Sequence, residues 1–426
     1  MVIKKTKQIF EEVLEKVKIN SEEMEIINKS LEGFLKKFRE NLRKSKINAE
    51  IFIGGSFAKK TMVKKRDYDI DIFLRFDQKY KEENLSKLTE KLLRGFKDVL
   101  KVHGSRDYFI IKRNENLFIE LIPVLKIKKL ADSRNITDLS YSHVKYLNKK
   151  IKSEKILDEI RLAKAFCYAN HCYGAESYIQ GFSGYGLELL IYKYQSFLKL
   201  IKAISKTKDK LIIDIEKDYK NKPEILMDLN SSKLESPIIL IDPTYKQRNV
   251  LAALSQETLE RFKKNCEKFL KNPSIKSFEI EKTNLEKIKK FAKEKNYEFV
   301  LMEAKTNKQK GDIAGSKLLK FYRHLNYEID KIFEVKNKGF NYNWEQSARY
   351  FFVVKNKKEI LISGPFIKDL KNLKKFKKKH KNYFIKSKRI YSKQKIQLNI
   401  KNFIEKLKED NKLKDMSIID LKIIEE

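Results

Sequence analysis

The sequence has far fewer acidic than basic residues, little cysteine and few residues that break secondary structure. Its 426 residues hold 58 Asp and Glu against 95 Lys and Arg. The three cysteines, Cys167, Cys172 and Cys266, make neither an even disulfide framework nor a paired zinc site, so we expect reduced thiols. With 13 glycines and 6 prolines, the chain has few breaks between elements. No run of eighteen uncharged apolar residues occurs, and no apolar stretch with a cleavage site follows the first lysines, which predicts a cytoplasmic protein without a membrane span.

The residues that are abundant predict a folded, helix-rich protein with an anionic partner. A hydrophobic content of 41%, with 27 Phe and 20 Tyr, is too apolar for a solvated basic tail. The formal net charge of +37 favours a large polyanion, and nucleic acid is the leading candidate. An AT-rich genome also produces lysine-rich proteins, so the charge needs a local site beside it.

The length and the spacing of apolar residues predict three domains. Residues 1–150 combine helical and strand-like runs, residues 151–272 are mostly helical, and residues 273–426 are mixed α/β. The fold class we predict is therefore α+β and multidomain. The more detailed expectations are a helix capped by Ser21, a helix over 83–102, one helix from Gly186 to Ile204, a loop over 237–249, and strands over 50–53, 68–76, 109–112 and 117–125.

Two aspartates in one apolar stretch carry the strongest chemical signal. Asp69 and Asp71 lie two residues apart in a predicted strand, so both side chains project from the same face. Paired carboxylates repel one another unless divalent cations neutralise them, and two such ions can clamp the oxygens of a phosphoryl transfer. A solvated strand face is the alternative interpretation of the same pair.

A glycine-rich turn precedes these aspartates by twelve residues. Gly55 and Ser56 offer backbone N–H groups and a hydroxyl to phosphate oxygens, and Lys59 and Lys60 follow one turn later. A plain turn would look the same in isolation. At this spacing from the aspartates, the turn suits a metal-bound nucleoside triphosphate.

This pattern closely resembles the nucleotidyltransferases of the DNA polymerase beta superfamily. That superfamily places a third carboxylate, usually Asp, on a nearby strand, and residues 117–123 offer Glu120 instead. More narrowly, the chain is similar to the archaeal, class I CCA-adding enzymes, which build the 3′ CCA end of tRNA. The matching segments are 52–61 and 69–76 in the head, 160–166, 172–176 and 181–190 in the neck helix and glycine loop, and 241–243 with 248–255 beyond them.

The resemblance implies a role for each matching residue. Asp69, Asp71 and Glu120 would be catalytic and hold Mg²⁺, in a polymerase-beta-like head followed by a helical neck. The implied nucleotide-binding residues are Gly55, Ser56, Lys59, Ser140, His143, Lys164, Tyr173 and Arg248. Arg248 would read the base of the incoming CTP or ATP, because a fixed guanidinium fork suits a base edge. Glu176 and Glu188 are expected to be structural, pairing with Arg161 or other cations.

The chain also departs from the family pattern. The family usually has Arg at the Lys59 position. The family usually has a histidine before the third carboxylate, and residues 104–109 contain none. The neighbouring His103 is the candidate to replace it. Residues 138–143 match the family segment after the head only loosely.

The segment 371–395 contains 12 Lys or Arg and no acidic residue. It lies where such enzymes place a tail that contacts the tRNA elbow, although a run of lysines is often only a solvated face. Lysines attract phosphates without regard to sequence, and aromatic rings can stack on exposed bases. The RNA-binding candidates are Lys374, Lys375, Lys377, Lys378, Lys379, Tyr383 and Arg389.

The sequence therefore predicts template-independent addition of C, C and A from CTP and ATP to tRNA, with release of pyrophosphate. One alternative is a poly(A) polymerase or another RNA-tailing nucleotidyltransferase, which would share all three carboxylates. The other is a non-catalytic RNA-binding protein, against which the retained carboxylates argue. The expected partners are tRNA, CTP and ATP, and no association with a membrane is expected. The sequence leaves the oligomeric state open, with a homodimer as one option.

Overall fold

The computed structural model describes residues 2–104, 106–127, 136–281, 283–395, 398–408 and 412–424. The chain divides into two compact units, residues 1–281 and 282–426. Within the described ranges, no helix is both long enough and apolar enough to cross a membrane.

The first unit combines helices with two sheets. Its helices are α1 (Val2–Val17), α2 (Ser21–Ser45), α3 (Gly55–Ala58), α4 (Glu82–Leu92), α5 (Ser140–Lys150), α6 (Glu154–Ala169), α7 (Gly184–Tyr194), α8 (Phe197–Ser205), α9 (Lys222–Asp228), α10 (Ser231–Leu234) and α11 (Gln256–Lys271). Its strands are β1 (Ala49–Ile53), β2 (Tyr68–Phe76), β3 (Val99–Val102), β4 (Tyr108–Lys112), β5 (Leu117–Leu125), β6 (Leu211–Ile213), β7 (Ile238–Asp242) and β8 (Tyr245–Asn249).

A mixed five-stranded sheet supports the predicted catalytic residues. Its strand order is β1-β2-β5-β4-β3, with β2 and β5 parallel and the other neighbours antiparallel. Alternate residues of β2, such as Ile70 and Ile72, are buried against Phe34 of α2 and Leu85 of α4. The opposite face of β2 is therefore the one that can present polar groups.

The remaining helices of this unit build a second core around aromatic rings. Phe166 of α6, Phe197 of α8 and Phe262 of α11 are fully buried in it. All three cysteines are buried free thiols in this core, as the sequence predicted. The three-stranded sheet β6-β7-β8 adjoins these helices and contributes Ile238 and Leu240.

The second unit contains two further sheets. Its helices are α12 (Leu285–Glu294), α13 (Asp312–Ile332), α14 (Leu370–Lys379), α15 (Ile400–Lys408) and α16 (Lys412–Asp415). Its strands are β9 (Glu298–Thr306), β10 (Phe333–Tyr342), β11 (Ser347–Asn356), β12 (Ile360–Phe366), β13 (Tyr383–Lys386), β14 (Arg389–Gln394) and β15 (Ile418–Ile423). The sheet β10-β11-β9-β15 is covered by α13 and α15, and the sheet β12-β14-β13 packs against α14.

These elements confirm the α+β, multidomain class, and the four strands predicted in the first 150 residues are all present. The helix predicted over 83–102 is wrong in its second half. The helix ends at Leu92, Gly95 turns the chain with a φ of +82°, and Val99–Val102 pairs with β4 instead. Two β-branched valines and a cross-strand partner outweigh the helical spacing there.

Three further expectations are corrected. The cap of α2 is Asn20, not Ser21, because its side chain accepts from Glu23 N while the Glu23 carboxylate accepts from Asn20 N. The single helix predicted from Gly186 to Ile204 begins earlier and is divided at Gln195, whose φ is +61°. Residues 237–249, predicted to be a loop, contain β7 and β8. The apolar run in this segment is the buried strand β7. The division into three domains at 150 and 272 stays a prediction.

Candidate active site

The two aspartates and Glu120 occur on neighbouring parallel strands. Asp71 of β2 is directly opposite Glu120 of β5, and Asp69 is opposite Phe118. Since alternate residues of a strand share a face, Asp69, Asp71 and Glu120 all belong to the same face of the sheet. The sheet register therefore brings together the three carboxylates that the sequence singled out.

The electrostatics of this face reflect crowded negative charge. Burial, reinforced by the Asp71 and Asp69 charges, raises the pKa of Glu120 to about 8. Burial and the nearby Asp69 also raise the pKa of Asp71. Lys65 Nζ lies 2.5 Å from Asp69 Oδ2 and supplies a local cation. Sequence reasoning missed Lys65, although its position four residues before Asp69 was a usable signal.

Gly55 fits against Asp71 in a way that no other residue can. Its φ is +60°, and a Cβ atom at this position would lie 1.6 Å from Asp71 Oδ2. Gly54 N also donates to the Asp71 carbonyl oxygen at 2.8 Å. The close approach holds the glycine turn, with Ser56 as the second residue of α3, directly beside the carboxylate face.

Lys59 and Lys164 meet at a buried carboxylate. Lys59 Nζ lies 2.5 Å from Glu188 Oε2, and Lys164 Nζ lies 2.9 Å from Glu188 Oε1. Thr61 completes the cluster, since its hydroxyl donates to Glu188 Oε1 at 2.6 Å and accepts from Lys164 at 2.8 Å. This cluster joins the loop after α3 to α6 and α7. As expected, Glu188 pairs with cations, but Arg161 binds Glu154 and Asp158 instead.

Burial and pairing have opposite effects in this cluster. Burial alone would raise the pKa of Glu188, but Lys164 and Lys59 outweigh it and hold that pKa at about 2. Burial lowers the pKa of Lys164. Lys164 Nζ donates to Thr61 O, Thr61 Oγ1 and Glu188 Oε1, so all three ammonium hydrogens are engaged. A phosphate oxygen that contacts Lys164 must replace one of these acceptors.

Arg248 and His143 meet at a second buried carboxylate, Asp242. Arg248 Nη1 lies 2.7 Å and His143 Nε2 lies 2.9 Å from Asp242 Oδ2. The His143 ring stacks on Tyr185 at 4.1 Å between centroids. Burial by itself would raise the pKa of Asp242, but the hydrogen bond from His143 and the charge of Arg248 hold that pKa below its usual range. Sequence reasoning quoted Asp242 in a motif but gave it no role.

The other nucleotide-binding candidates are arranged around these two clusters. Ser140 begins α5, and His143 follows one turn later on the same helix. Tyr173 forms a parallel bridge with Phe182, and burial raises its pKa. A Cβ at Gly184 would lie 2.9 Å from Tyr173 Oη, so the glycine loop packs on this hydroxyl. Lys59 Nζ lies 5.9 Å from the centre of the Tyr185 ring, which links the two clusters.

The predicted RNA-binding residues belong to the second unit. Lys374, Lys375, Lys377, Lys378 and Lys379 are exposed on α14. Tyr383 of β13 is exposed, and Lys377 Nζ lies 5.2 Å from the centre of its ring. Arg389 of β14 stacks its guanidinium on Phe366 at 4.2 Å. The unit therefore displays cations and aromatic rings together on its surface.

The sheet and the two clusters lie in segments of the chain that match two known domain families. Residues 35–161 match the nucleotidyltransferase domain, and residues 158–279 match the second domain of tRNA nucleotidyltransferases. Among solved structures, a Cid1 RNA terminal uridylyl transferase superposes with a TM-score of 0.51 and 13% identity, covering 66% of this chain and 99% of that one. At this identity the likeness concerns the fold alone, and it agrees with the predicted polymerase-beta-like head.

Curated relatives extend the match over most of the chain. The CCA-adding enzyme of Nanoarchaeum equitans is 35% identical over 338 residues, which is 79% of this chain and 81% of the relative. The CCA-adding enzyme of Methanocaldococcus jannaschii is 29% identical over 412 residues, which is 92% of this chain and 88% of the relative. The resemblance inferred from the sequence motifs is thus confirmed. The chain belongs to the family of CCA-adding enzymes, the tRNA nucleotidyltransferases.

Proposed function

We propose that the chain adds C, C and A from CTP and ATP to the 3′ end of tRNA without a template, with Asp69, Asp71 and Glu120 as its catalytic carboxylates. The observation that carries the proposal is the register of β2 and β5, which groups these three acids on one face beside the Gly55 turn. Family membership favours this activity over a poly(A) polymerase and over a non-catalytic RNA-binding protein.

Nucleotidyltransferases generally use divalent metal ions, and we propose Mg²⁺ as the ion here. The donor set fits in its chemistry, because all three candidates offer carboxylate oxygens. Burial and the charges of Asp71 and Asp69 raise the pKa of Glu120, which shows that the negative charge on this face is not balanced by the protein alone. Within the described part of the chain, no three Asp, Glu, His or Cys side chains already form a closed metal-ligating group. A metal ion at Asp69 would compete with Lys65 for Asp69 Oδ2. When bound, the ions would neutralise negative charge on the reacting oxygens.

The residues of the chain would hold the triphosphate and orient the acceptor. The 3′-hydroxyl of the tRNA releases its proton to water as its oxygen forms a bond to the α-phosphorus of the nucleotide, and the bond from that phosphorus to pyrophosphate breaks. Ser56 and Lys59 would contact the triphosphate from the turn after β1, while Lys164 and Tyr173 would approach it from α6 and the glycine loop. Proximity and orientation supply much of the rate in such a transfer.

Recognition of base and tRNA would be divided between the two units. Arg248 would read the base in the first unit, because its hydrogen bond to Asp242 Oδ2 and its 3.2 Å approach to His143 Nε2 both involve Nη1 and leave the rest of its fork for a nucleotide. The exposed lysines of α14, with Tyr383 and Arg389, would bind the tRNA backbone in the second unit. A homodimer and a cytoplasmic location stay predictions.

Incorporation assays test this function directly. Transcripts of tRNA that lack the last three, two or one nucleotides are incubated with the protein and one labelled nucleotide at a time. We expect C on the first two ends and A on the third, whereas a poly(A) polymerase would add A to all three. Asp69→Ala and Asp71→Ala should each abolish incorporation with tRNA affinity retained, since they remove metal ligands and not phosphate contacts. Equal loss of binding would contradict the assigned roles.

A further inference from the structure

The buried Asp242 carboxylate is saturated with hydrogen bonds from the protein. Oδ2 accepts from His143 Nε2 and Arg248 Nη1, and Oδ1 accepts from Thr244 N at 2.9 Å, Thr244 Oγ1 at 2.8 Å and Tyr185 Oη at 3.2 Å. Because both oxygens are already taken, Asp242 cannot itself bind a nucleotide or a metal ion. Any effect it has on the reaction must pass through the groups that it holds.

The charge of Asp242 is balanced by Arg248. A buried carboxylate is costly unless it is paired, and the guanidinium is the permanent cation in this cluster. The pairing also settles the proton positions. Since Oδ2 can only accept, His143 Nε2 carries its hydrogen toward Asp242, and Arg248 Nη1 donates to Asp242 although it lies 3.2 Å from Nε2.

The backbone fixes Asp242 relative to Arg248. Asp242 ends β7 and Arg248 belongs to β8, and these strands pair antiparallel with Asp242 opposite Tyr245. The Arg248 side chain retains 17% exposure, and its Nη1 end is anchored on Asp242 Oδ2. The arrangement converts a flexible arginine into a donor with one fixed direction.

Direction matters for a donor that must accept two bases and reject two. Cytosine and adenine present a ring nitrogen acceptor beside an amino group, whereas uracil and guanine present an N–H donor at the corresponding ring position. A fixed donor pairs with the first two and opposes the other two. An arginine that can rotate would find an acceptor on any of the four bases.

We propose that Asp242 is a positioning residue for base selection, which acts by holding Arg248 in the orientation that excludes UTP and GTP. This rests on the proposed function, in which Arg248 reads the base. Asp242→Asn keeps the shape of the side chain and removes its charge. We expect the ratio of kcat/KM for CTP over UTP to fall about tenfold or more.

A double-mutant cycle gives the test, using kcat/KM for CTP and UTP on tRNA that lacks its last three nucleotides. If Asp242 acts through Arg248, adding Asp242→Asn to Arg248→Ala lowers selectivity no further. Thr244→Val is the matched control, because it removes a hydrogen bond to the same carboxylate without touching Arg248, and it should keep the selectivity of the unmodified protein. Asp242→Glu, which restores the charge, should recover part of it.

The outcomes separate this inference from the proposed function. Loss of selectivity in Arg248→Ala but not in Asp242→Asn, or full additivity in the double variant, overturns the role of Asp242 alone. Unchanged selectivity in Arg248→Ala overturns the base-reading role itself. Thermal melting of each variant establishes that it is folded. Asp242→Ser, which also lacks the charge and is smaller, replaces Asp242→Asn in the cycle if the latter does not fold.

Discussion

Replacing Glu188 with Gln removes the negative charge with which two buried lysines, Lys59 and Lys164, form ion pairs. Glu188 has 0% side-chain exposure, Lys164 3% and Lys59 10%. Removing one partner of a buried ion pair costs about 3–5 kcal/mol, because the remaining charge has neither water nor a counter-ion. Here two ammonium groups lose the same partner. We therefore expect the Glu188→Gln substitution to lower the free energy of unfolding by at least about 3 kcal/mol.

The pKa of Glu188 gives an independent magnitude and a pH dependence. Lowering this pKa from the ordinary 4.5 to about 2 corresponds to about 3 kcal/mol of stability at neutral pH. A carboxyl whose pKa is depressed in the folded state contributes fully above its unfolded-state pKa and loses that contribution as pH falls toward the folded one. The difference between unmodified protein and Glu188→Gln should therefore be full above about pH 5 and shrink below about pH 4.

Equilibrium urea unfolding of the full chain, followed by circular dichroism, measures the effect. Glu279→Gln is the control, because it removes an acid from the exposed pair with Lys16 in the same unit. The control substitution should lower the free energy of unfolding by less than about 1 kcal/mol. A loss in Glu188→Gln that is no larger than in the control would refute the reasoning, since it would mean that Lys59 and Lys164 do not depend on this charge.

Three further predictions concern other parts of the molecule. Gly55→Ala should abolish labelled-nucleotide incorporation, because its methyl group would overlap Asp71 Oδ2, and near-normal activity would contradict that geometry. In EDTA, Glu120→Gln should raise the free energy of unfolding at pH 8, measured by urea titration. The folded-state pKa of Glu120 is raised to about 8, so the unmodified protein loses stability as pH rises from the unfolded-state pKa of this group toward 8, and a glutamine avoids that loss. Glutamines at the five α14 lysines should lower the log-log salt slope of tRNA binding by roughly 0.7–0.9 per lost contact and leave activity on an acceptor minihelix unchanged; equal loss on both would move the contact away from the tRNA elbow.

The parts of the fold that could be predicted from sequence are those with a local cause. The alternation in 68–76 predicted β2 with its observed bounds. The strand Val99–Val102 could not be predicted, because its stability comes from pairing with β4 and not from its own pattern. Likewise, β7 is a buried strand, and a short apolar run of that kind has no distinctive period.

The candidate site divides in the same way. Gly55, Asp69 and Asp71 are close in sequence, so their spacing alone indicated their chemistry. The contact between Lys59 and Glu188 spans 129 residues, and the contact between His143 and Asp242 spans 99. Such pairs depend on how the helices pack, which no local pattern encodes. Sequence reasoning could name the cations from a family resemblance and could expect Glu188 to pair with a cation, but it could not say with which one, and it gave Asp242 no role.

The placement of these acids explains how a chain with a net charge of +37 can bury the cations of its candidate nucleotide site. A cation that is exposed, such as Lys374 on α14, is solvated by water and needs no partner. A cation held in a buried site must be neutralised before its ligand arrives, or the folded state bears its desolvation cost. Lys59 and Lys164 share Glu188, and Arg248 has Asp242. Lys59, Lys164 and Arg248 of the candidate site thus each contact a buried carboxylate, whereas the five lysines of α14 are exposed to solvent and contribute to the positive surface potential of the second unit.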